Sequence, residues 1–228
     1  MASEMREGVT ELEVERKFVI DDTTELNLVE NGGKLISEKT FRDSYYDTPD
    51  NRLCLNDFWL RDRQGTWQLK YPSPLTNSSV TSSHYMECAV ESEIVRTILS
   101  MLKNDTSCST TCANQLEPHN LNQISDVPTL VKVLDCCAFA TYTTTRKTYR
   151  LSGLTVDLDI TDFGFKIGEI ESVAHTETEA AEGQKRIDEL AEKLGIQDHG
   201  RVPGKMDKYL QINKPELYEK LLERKILN

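Results

Sequence analysis

The stretch Glu11-Leu12-Glu13-Val14-Glu15-Arg16-Lys17-Phe18-Val19-Ile20 decides the fold. It alternates with a period of two, the period of a β-strand, in which successive side chains point to opposite faces. One face carries Glu11, Glu13, Glu15 and Lys17; the other carries Leu12, Val14, Arg16, Phe18 and Ile20. A half-exposed sheet with its polar side in water would alternate in the same way. The arrangement of charge argues for more. Residues i and i+2 of a strand lie about 6.6 Å apart on one face, so Glu13 and Glu15 can converge on one hard cation.

The pattern recurs along the chain. Trp59, Arg61 and Arg63 share a face, and Glu87 alternates with Met86 and Cys88. Arg146 shares a face with Thr144 and Thr148, Asp157 with Asp159, and Glu169 with Glu171 across Ile170. A solvated face mixes Lys, Glu, Thr and Ser freely. Here some strands carry only acids and others only bases, which points to an enclosed charged interior. Mg²⁺ takes oxygen ligands, so Glu13-x-Glu15 and Glu169-x-Glu171 read as two halves of a Mg²⁺ or Mn²⁺ site. The planar forks of Arg61 and Arg63 suit phosphate oxygens. Together these faces suit a metal-bound polyphosphate.

The neighbouring segments give about eight strands in mostly hairpin order. Strands are expected over 38–46, 58–63, 66–71, 85–90, 136–151, 154–160 and 165–174, with Gln64-Gly65 as a hairpin turn. Helices are expected over 24–30, 92–103, where Ile94, Val95, Ile98, Leu99 and Leu102 form an apolar stripe, and 127–134. Thr176 and Glu179 open a further helix that Gly195 closes, and a last helix begins near Pro215. No repeat or composition break divides the chain. The expected fold is α+β, one domain over 1–228, with an antiparallel sheet closed into a barrel. The loop 72–83 and the segment 104–123 carry no functional reading.

Composition sets the outer limits. The chain has 228 residues and a net charge of −11, with 38% apolar and 29% charged residues. It is apolar enough to fold, and its acidity excludes a nucleic-acid or anionic-membrane partner. An anionic small molecule stays open, because net charge averages over a surface while binding happens in an interior. No apolar run approaches the roughly 18 residues of a membrane span. Residues 1–8 lack the apolar core of a signal peptide. A cytoplasmic monomer with reduced thiols is therefore expected. Cys108-x3-Cys112 with His119 lacks the second ligand pair of a zinc site.

Glu13-Val14-Glu15-Arg16-Lys17 resembles the E-x-E-x-K signature of the CYTH superfamily, the triphosphate tunnel metalloenzymes. The rest follows in the right order: Arg61-x-Arg63, Lys70, Arg146, Asp157, Glu169-x-Glu171 and Lys205. Phe41 to Pro49, Trp59-Leu60-Arg61 and Asp162-Phe163-Gly164 are similar to stretches of its animal thiamine triphosphatase branch. The resemblance implies an eight-stranded antiparallel tunnel. It implies triphosphate binding by Lys17, Arg61, Arg63, Lys70, Arg146 and Lys205, with Trp59 and Tyr45 at the thiamine end. It implies Mg²⁺ or Mn²⁺ held by Glu13, Glu15, Asp157, Glu169 and Glu171, with Glu87 as a further member. Lys17 and Lys205 are the catalytic candidates, with Tyr209 one helical turn from Lys205. The implied reaction is hydrolysis of the terminal phosphate of thiamine triphosphate. An inorganic triphosphatase would share every one of these features. An adenylate cyclase has no favouring residue here, and a binding module would not need five carboxylates.

Overall fold

The computed structural model describes residues 11–73, 82–104, 124–197 and 200–227. The strands are β1 (Glu11–Phe18), β2 (Lys34–Asp47), β3 (Trp59–Arg63), β4 (Thr66–Pro72), β5 (Ser82–Cys88), β6 (Cys137–Leu151), β7 (Leu154–Thr161) and β8 (Lys166–Ala174). They close in the order β1-β5-β4-β3-β2-β6-β7-β8, and every neighbouring pair is antiparallel. The helices are α1 (Thr24–Glu30), α2 (Glu91–Asn104), α3 (Val127–Val133), α4 (Glu177–Lys193), α5 (Lys205–Asn213) and α6 (Pro215–Glu223).

Local chemistry accounts for the joints. Gln64 and Gly65 both have positive φ, 52° and 88°, as a two-residue hairpin of the right twist requires. The Thr176 hydroxyl accepts from the Glu179 N–H, and the His175 N–H donates to the Glu179 carboxylate, fixing the start of α4. The pair β2–β6 forms the longest ladder, running from Lys34↔Arg150 to Asp47↔Cys137.

Because the faces turned inward are charged, the apolar core lies outside the barrel wall. Leu12, Val14, Val156 and Ile170 pack under α4 against Ile187 and Leu190. Leu60 and Leu69 pack under α2 and α3 against Ile94, Ile98 and Leu130. Trp67 joins this second cluster, as its parity with Leu69 predicts. Each fully buried Leu or Ile contributes about 1.5–3 kcal/mol by leaving water. A third cluster is built differently. Tyr45, Ala140 and Tyr142 meet Met206, Leu210 and Leu221 of α5 and α6, so the C-terminal helices pack where these tyrosines lie.

Several boundaries differ from the sequence expectation, and β5 runs Ser82–Cys88 rather than 85–90. β2 begins at Lys34 rather than Glu38, because residues 34–36 are exposed and show no alternation to read. β1 ends at Phe18, before the expected Ile20. The C-terminal region holds two helices rather than one. They break at Lys214, which leaves the helical region at φ −142° and ψ 57° ahead of Pro215, whose ring disfavours an α conformation in the residue before it. Most of the loop 72–83 and of the segment 104–123, including Cys108, Cys112 and His119, lies outside the described residues. Among the described cysteines, Cys54, Cys88, Cys136 and Cys137 are free thiols.

Candidate active site

The barrel encloses a cavity of about 580 Å³. Its wall is sorted by strand order. The neighbouring strands β7, β8 and β1 bring in Asp157 and Asp159, Glu169 and Glu171, and Glu13 and Glu15. The strands β3 and β4, on the other side of β5, bring in Arg61, Arg63 and Lys70. The register then aligns the charges across strands: Glu15 pairs with Glu171, and Lys17 with Glu169.

Among the described residues, one group of carboxylates can converge on a single ion. Glu13, Glu15 and Glu171 each place an oxygen within 4.8 Å of the others. This all-oxygen set fits a hard divalent cation. Its electrostatics fit as well. Burial, opposed by Lys70 and reinforced by Glu87 and Glu15, pushes the Glu13 carboxyl up to about 7. Burial and the charge of Glu13 push Glu171 well above the usual carboxylate range. Glu15 is the exception: Lys17 and Lys70 overcome its burial and hold it down to about 2. Lys17 donates to Glu15 at 2.5 Å, and Lys70 donates to Glu13 at 2.6 Å. Two lysines thus engage two of the three carboxylates, Glu13 and Glu15, and Glu15 is the most deeply buried of the three.

The other acids form a second group. Arg146 donates to Asp159 through two nitrogens, both at 2.7 Å, reaches Glu169 at 2.9 Å, and pairs with Asp157. Lys205 comes from the first residue of α5 and donates to Asp159 at 2.6 Å and Glu169 at 2.9 Å. Burial opposes its charge, but Glu169 and Asp159 win and hold its pKa above the ordinary lysine value. An ammonium so held is a poor proton acceptor. Burial likewise opposes charge on Glu169, and Lys205, Arg146 and Lys17 outweigh it, keeping Glu169 ionised.

The remaining bases differ in how far they are engaged. Arg63 is gripped by Asp43 through two bonds, at 2.6 and 2.8 Å, and lies 4.0 Å over the Phe41 ring. Arg61 donates to the Gln68 amide oxygen at 2.9 Å and reaches Glu87 at 3.5 Å. It also meets the Tyr45 hydroxyl at 3.4 Å. Trp59 lines the same cavity, on the charged face that its parity with Arg61 predicts. Its indole N–H donates to Asp57 at 2.8 Å.

The structure therefore brings Glu13, Glu15 and Glu171 into one triad, while Asp157, Glu169 and Glu87 lie outside it. Lys17, Lys70, Arg61, Arg63, Arg146, Lys205, Tyr45 and Trp59 all line the cavity; Asp157 is buried behind Arg146. Tyr209 sits elsewhere than beside the Lys205 ammonium's partners. Its ring packs 5.5 Å from Tyr142 and 5.7 Å from Phe163. Sequence reasoning missed Asp43 as the partner of Arg63, and Asp57 and Tyr85 as residues of the cavity wall. Asp43 was legible by parity with Tyr45; Asp57 lies in a turn and has no periodicity to betray it.

A closed antiparallel barrel with converging carboxylates on one wall and bases facing them is built to hold a cation and a polyanion together. This chain belongs to the CYTH domain family, whose model matches residues 11–203. It is 34% identical over 224 residues to the human thiamine-triphosphatase, covering 93% of this chain and 90% of that one. The thiamine-triphosphatase of Macaca fascicularis matches at the same identity and coverage. Among solved structures, the PH1012 protein of Pyrococcus horikoshii shares the fold at a TM-score of 0.54 and 18% identity, over 88% of this chain and 98% of that one. A putative adenylate cyclase of Vibrio parahaemolyticus also scores 0.54, at 17% identity over 89% and 99%. At such identities these two likenesses speak to fold alone.

Proposed function

We propose that this chain hydrolyses the terminal phosphate of thiamine triphosphate, releasing thiamine diphosphate and phosphate, with Mg²⁺ as the preferred ion and Mn²⁺ as a substitute. The observation that carries the reading is the cavity itself: the Glu13, Glu15 and Glu171 oxygens face Arg61 and Lys70, with the Trp59 indole on the same wall. The 34% identity to thiamine-triphosphatases across 93% of the chain supports the choice of organic end.

The triad would hold the metal, which when bound supplies charge neutralisation on phosphate oxygens and acidifies the attacking water. The protein's own groups do the rest. Lys17 and Lys70 pair with Glu15 and Glu13 in the metal-free site; with those carboxylates engaged by a cation, both ammonium groups would be left to bind phosphate oxygens. Arg61 offers its guanidinium, with Glu87 at 3.5 Å and the charge of Asp43 also acting on it. Arg146 and Lys205 stay anchored by Asp157, Asp159 and Glu169, and present fixed positive charge where negative charge develops. Such preorganised charge, with in-line positioning, is most of what phosphoryl transfer requires. Trp59 would stack on the thiazolium cation, contributing roughly 0.5–2 kcal/mol. No helix of the described residues is long and apolar enough to cross a membrane.

The same phosphate grip would accept inorganic tripolyphosphate. The test is kcat/KM for both substrates with Mg²⁺, for the wild type and Trp59→Ala. Thiamine triphosphate is expected to be preferred, and the substitution to erase that preference. A wide preference for tripolyphosphate, unmoved by the substitution, would make this an inorganic triphosphatase.

A further inference from the structure

Asp57 has no part in the phosphate chemistry above, yet it is the polar hub of the cavity's aromatic side. It follows the 3₁₀ turn Cys54–Asn56 and has a φ of 63°, a left-handed conformation that Asp and Asn tolerate best. That turn is itself held by Asp47, whose carboxylate accepts the Leu53 and Cys54 N–H groups at 2.8 and 2.9 Å. The Asp57 position is therefore fixed from behind.

Its Oδ1 accepts the Trp59 indole N–H at 2.8 Å, and its two oxygens share the Tyr85 hydroxyl at 3.2 Å each. Tyr85 in turn places its ring 5.2 Å from the Lys70 ammonium. Arg201 and Asp207 are the other charged neighbours of Asp57, and they pair with each other at 3.8 Å. The Asp207 charge opposes that of Arg201, and the carboxylate that touches the indole N–H is that of Asp57.

Two consequences follow for Trp59. The hydrogen bond removes the rotational freedom of the indole, so its face is presented without an ordering cost on binding. A charge-assisted bond from N–H to carboxylate also pushes electron density into the ring and makes its face more negative, which is the property a cation over that face responds to. We propose that Asp57 is a specificity-determining positioning residue, acting through Trp59 to favour substrates whose organic end is a cationic aromatic ring. The inference rests on the thiamine triphosphate reading and names what selects that end.

The test compares Asp57→Asn, Trp59→Phe and the double variant with the wild type, on thiamine triphosphate and on tripolyphosphate. Asn keeps the left-handed turn and an oxygen acceptor but removes the charge; Phe keeps a ring but removes the N–H. Asp57→Asn is expected to lower kcat/KM for thiamine triphosphate about five- to tenfold, through KM, as loss of roughly a cation–π contact implies. Tripolyphosphate turnover is expected to stay within about twofold of wild type, which also reports that the variant folds. The double variant should be no worse than Trp59→Phe alone. Equal loss on both substrates, no loss on either, or additive losses in the double variant would each overturn the proposal. A wild type that does not prefer thiamine triphosphate would instead overturn the reading beneath it, and is seen before any variant is made.

Discussion

Removing divalent metal should make this fold less stable as pH rises from about 5 to 8, opposite to the usual response of a paired carboxylate. The cause is the triad. The Glu13 carboxyl stands at about 7 in the folded chain against 4.5 for a free glutamate, and Glu171 is displaced in the same direction. A group whose folded pKa is raised binds more protons in the folded state, so stability falls with rising pH between the two values. At 1.36 kcal/mol per pH unit, Glu13 alone costs about 3 kcal/mol once pH exceeds 7, and Glu171 adds to it. For a chain of this length each kcal/mol moves Tm by roughly 2–4 °C, so a drop on the order of 10 °C is expected. Glu15 and Glu169, held low by Lys17, Lys70, Lys205 and Arg146, change protonation below 4.5 and do not oppose the trend. The assay is calorimetric Tm against pH in EDTA and again in excess Mg²⁺. Because the ion binds ionised carboxylates, its stabilising effect should be largest at pH 8 and small at pH 5. A Tm in EDTA that is flat or rises over this range would refute the electrostatic account of the triad.

Further outcomes follow from particular contacts. A Cβ added at Gly168 would lie 2.2–2.5 Å from the Phe18 ring, so Gly168→Ala should destabilise by about 1–3 kcal/mol in urea titration, with Phe18→Leu partly restoring it. Lys205→Met leaves Asp159 to Arg146, and Glu169 to Arg146 and Lys17; breaking a buried pair costs about 3–5 kcal/mol, and kcat for phosphate release should fall at least about a hundredfold. Asp43→Asn removes the grip on Arg63, and should lower stability by a few kcal/mol while changing the KM for tripolyphosphate more than a distant surface variant does.

How far the sequence could be read follows from which faces carry alternation. β1, β7 and β8 separate acids from apolar residues without exception over their central positions, so both the barrel and its charged bore were legible. The first turn of β2 was not, because residues 34–36 face solvent and nothing constrains their polarity. The break between α5 and α6 was signalled by Pro215, but α5 itself has a weak apolar stripe, with only Met206 and Leu210 buried. Pairing was the least legible part. Parity placed Glu169, Asp157 and Glu171 on one face, yet only the closed register shows that Glu171 meets Glu13 and Glu15 while Glu169 and Asp157 are taken by Arg146 and Lys205. The Asp57–Tyr85 contact lay beyond reach because a turn residue and a strand residue 28 positions along the chain meet only through tertiary closure.

The central claim is that a metal on the Glu13–Glu15–Glu171 triad supports hydrolysis of thiamine triphosphate in this tunnel. The most direct measurement is phosphate release from thiamine triphosphate as Mg²⁺ is titrated, for the wild type and for Glu171→Gln. No release is expected in EDTA, with saturable activation of the wild type and a variant that is inert or requires at least about tenfold more Mg²⁺. Release that persists in EDTA, or a variant whose Mg²⁺ dependence matches the wild type, would contradict the claim.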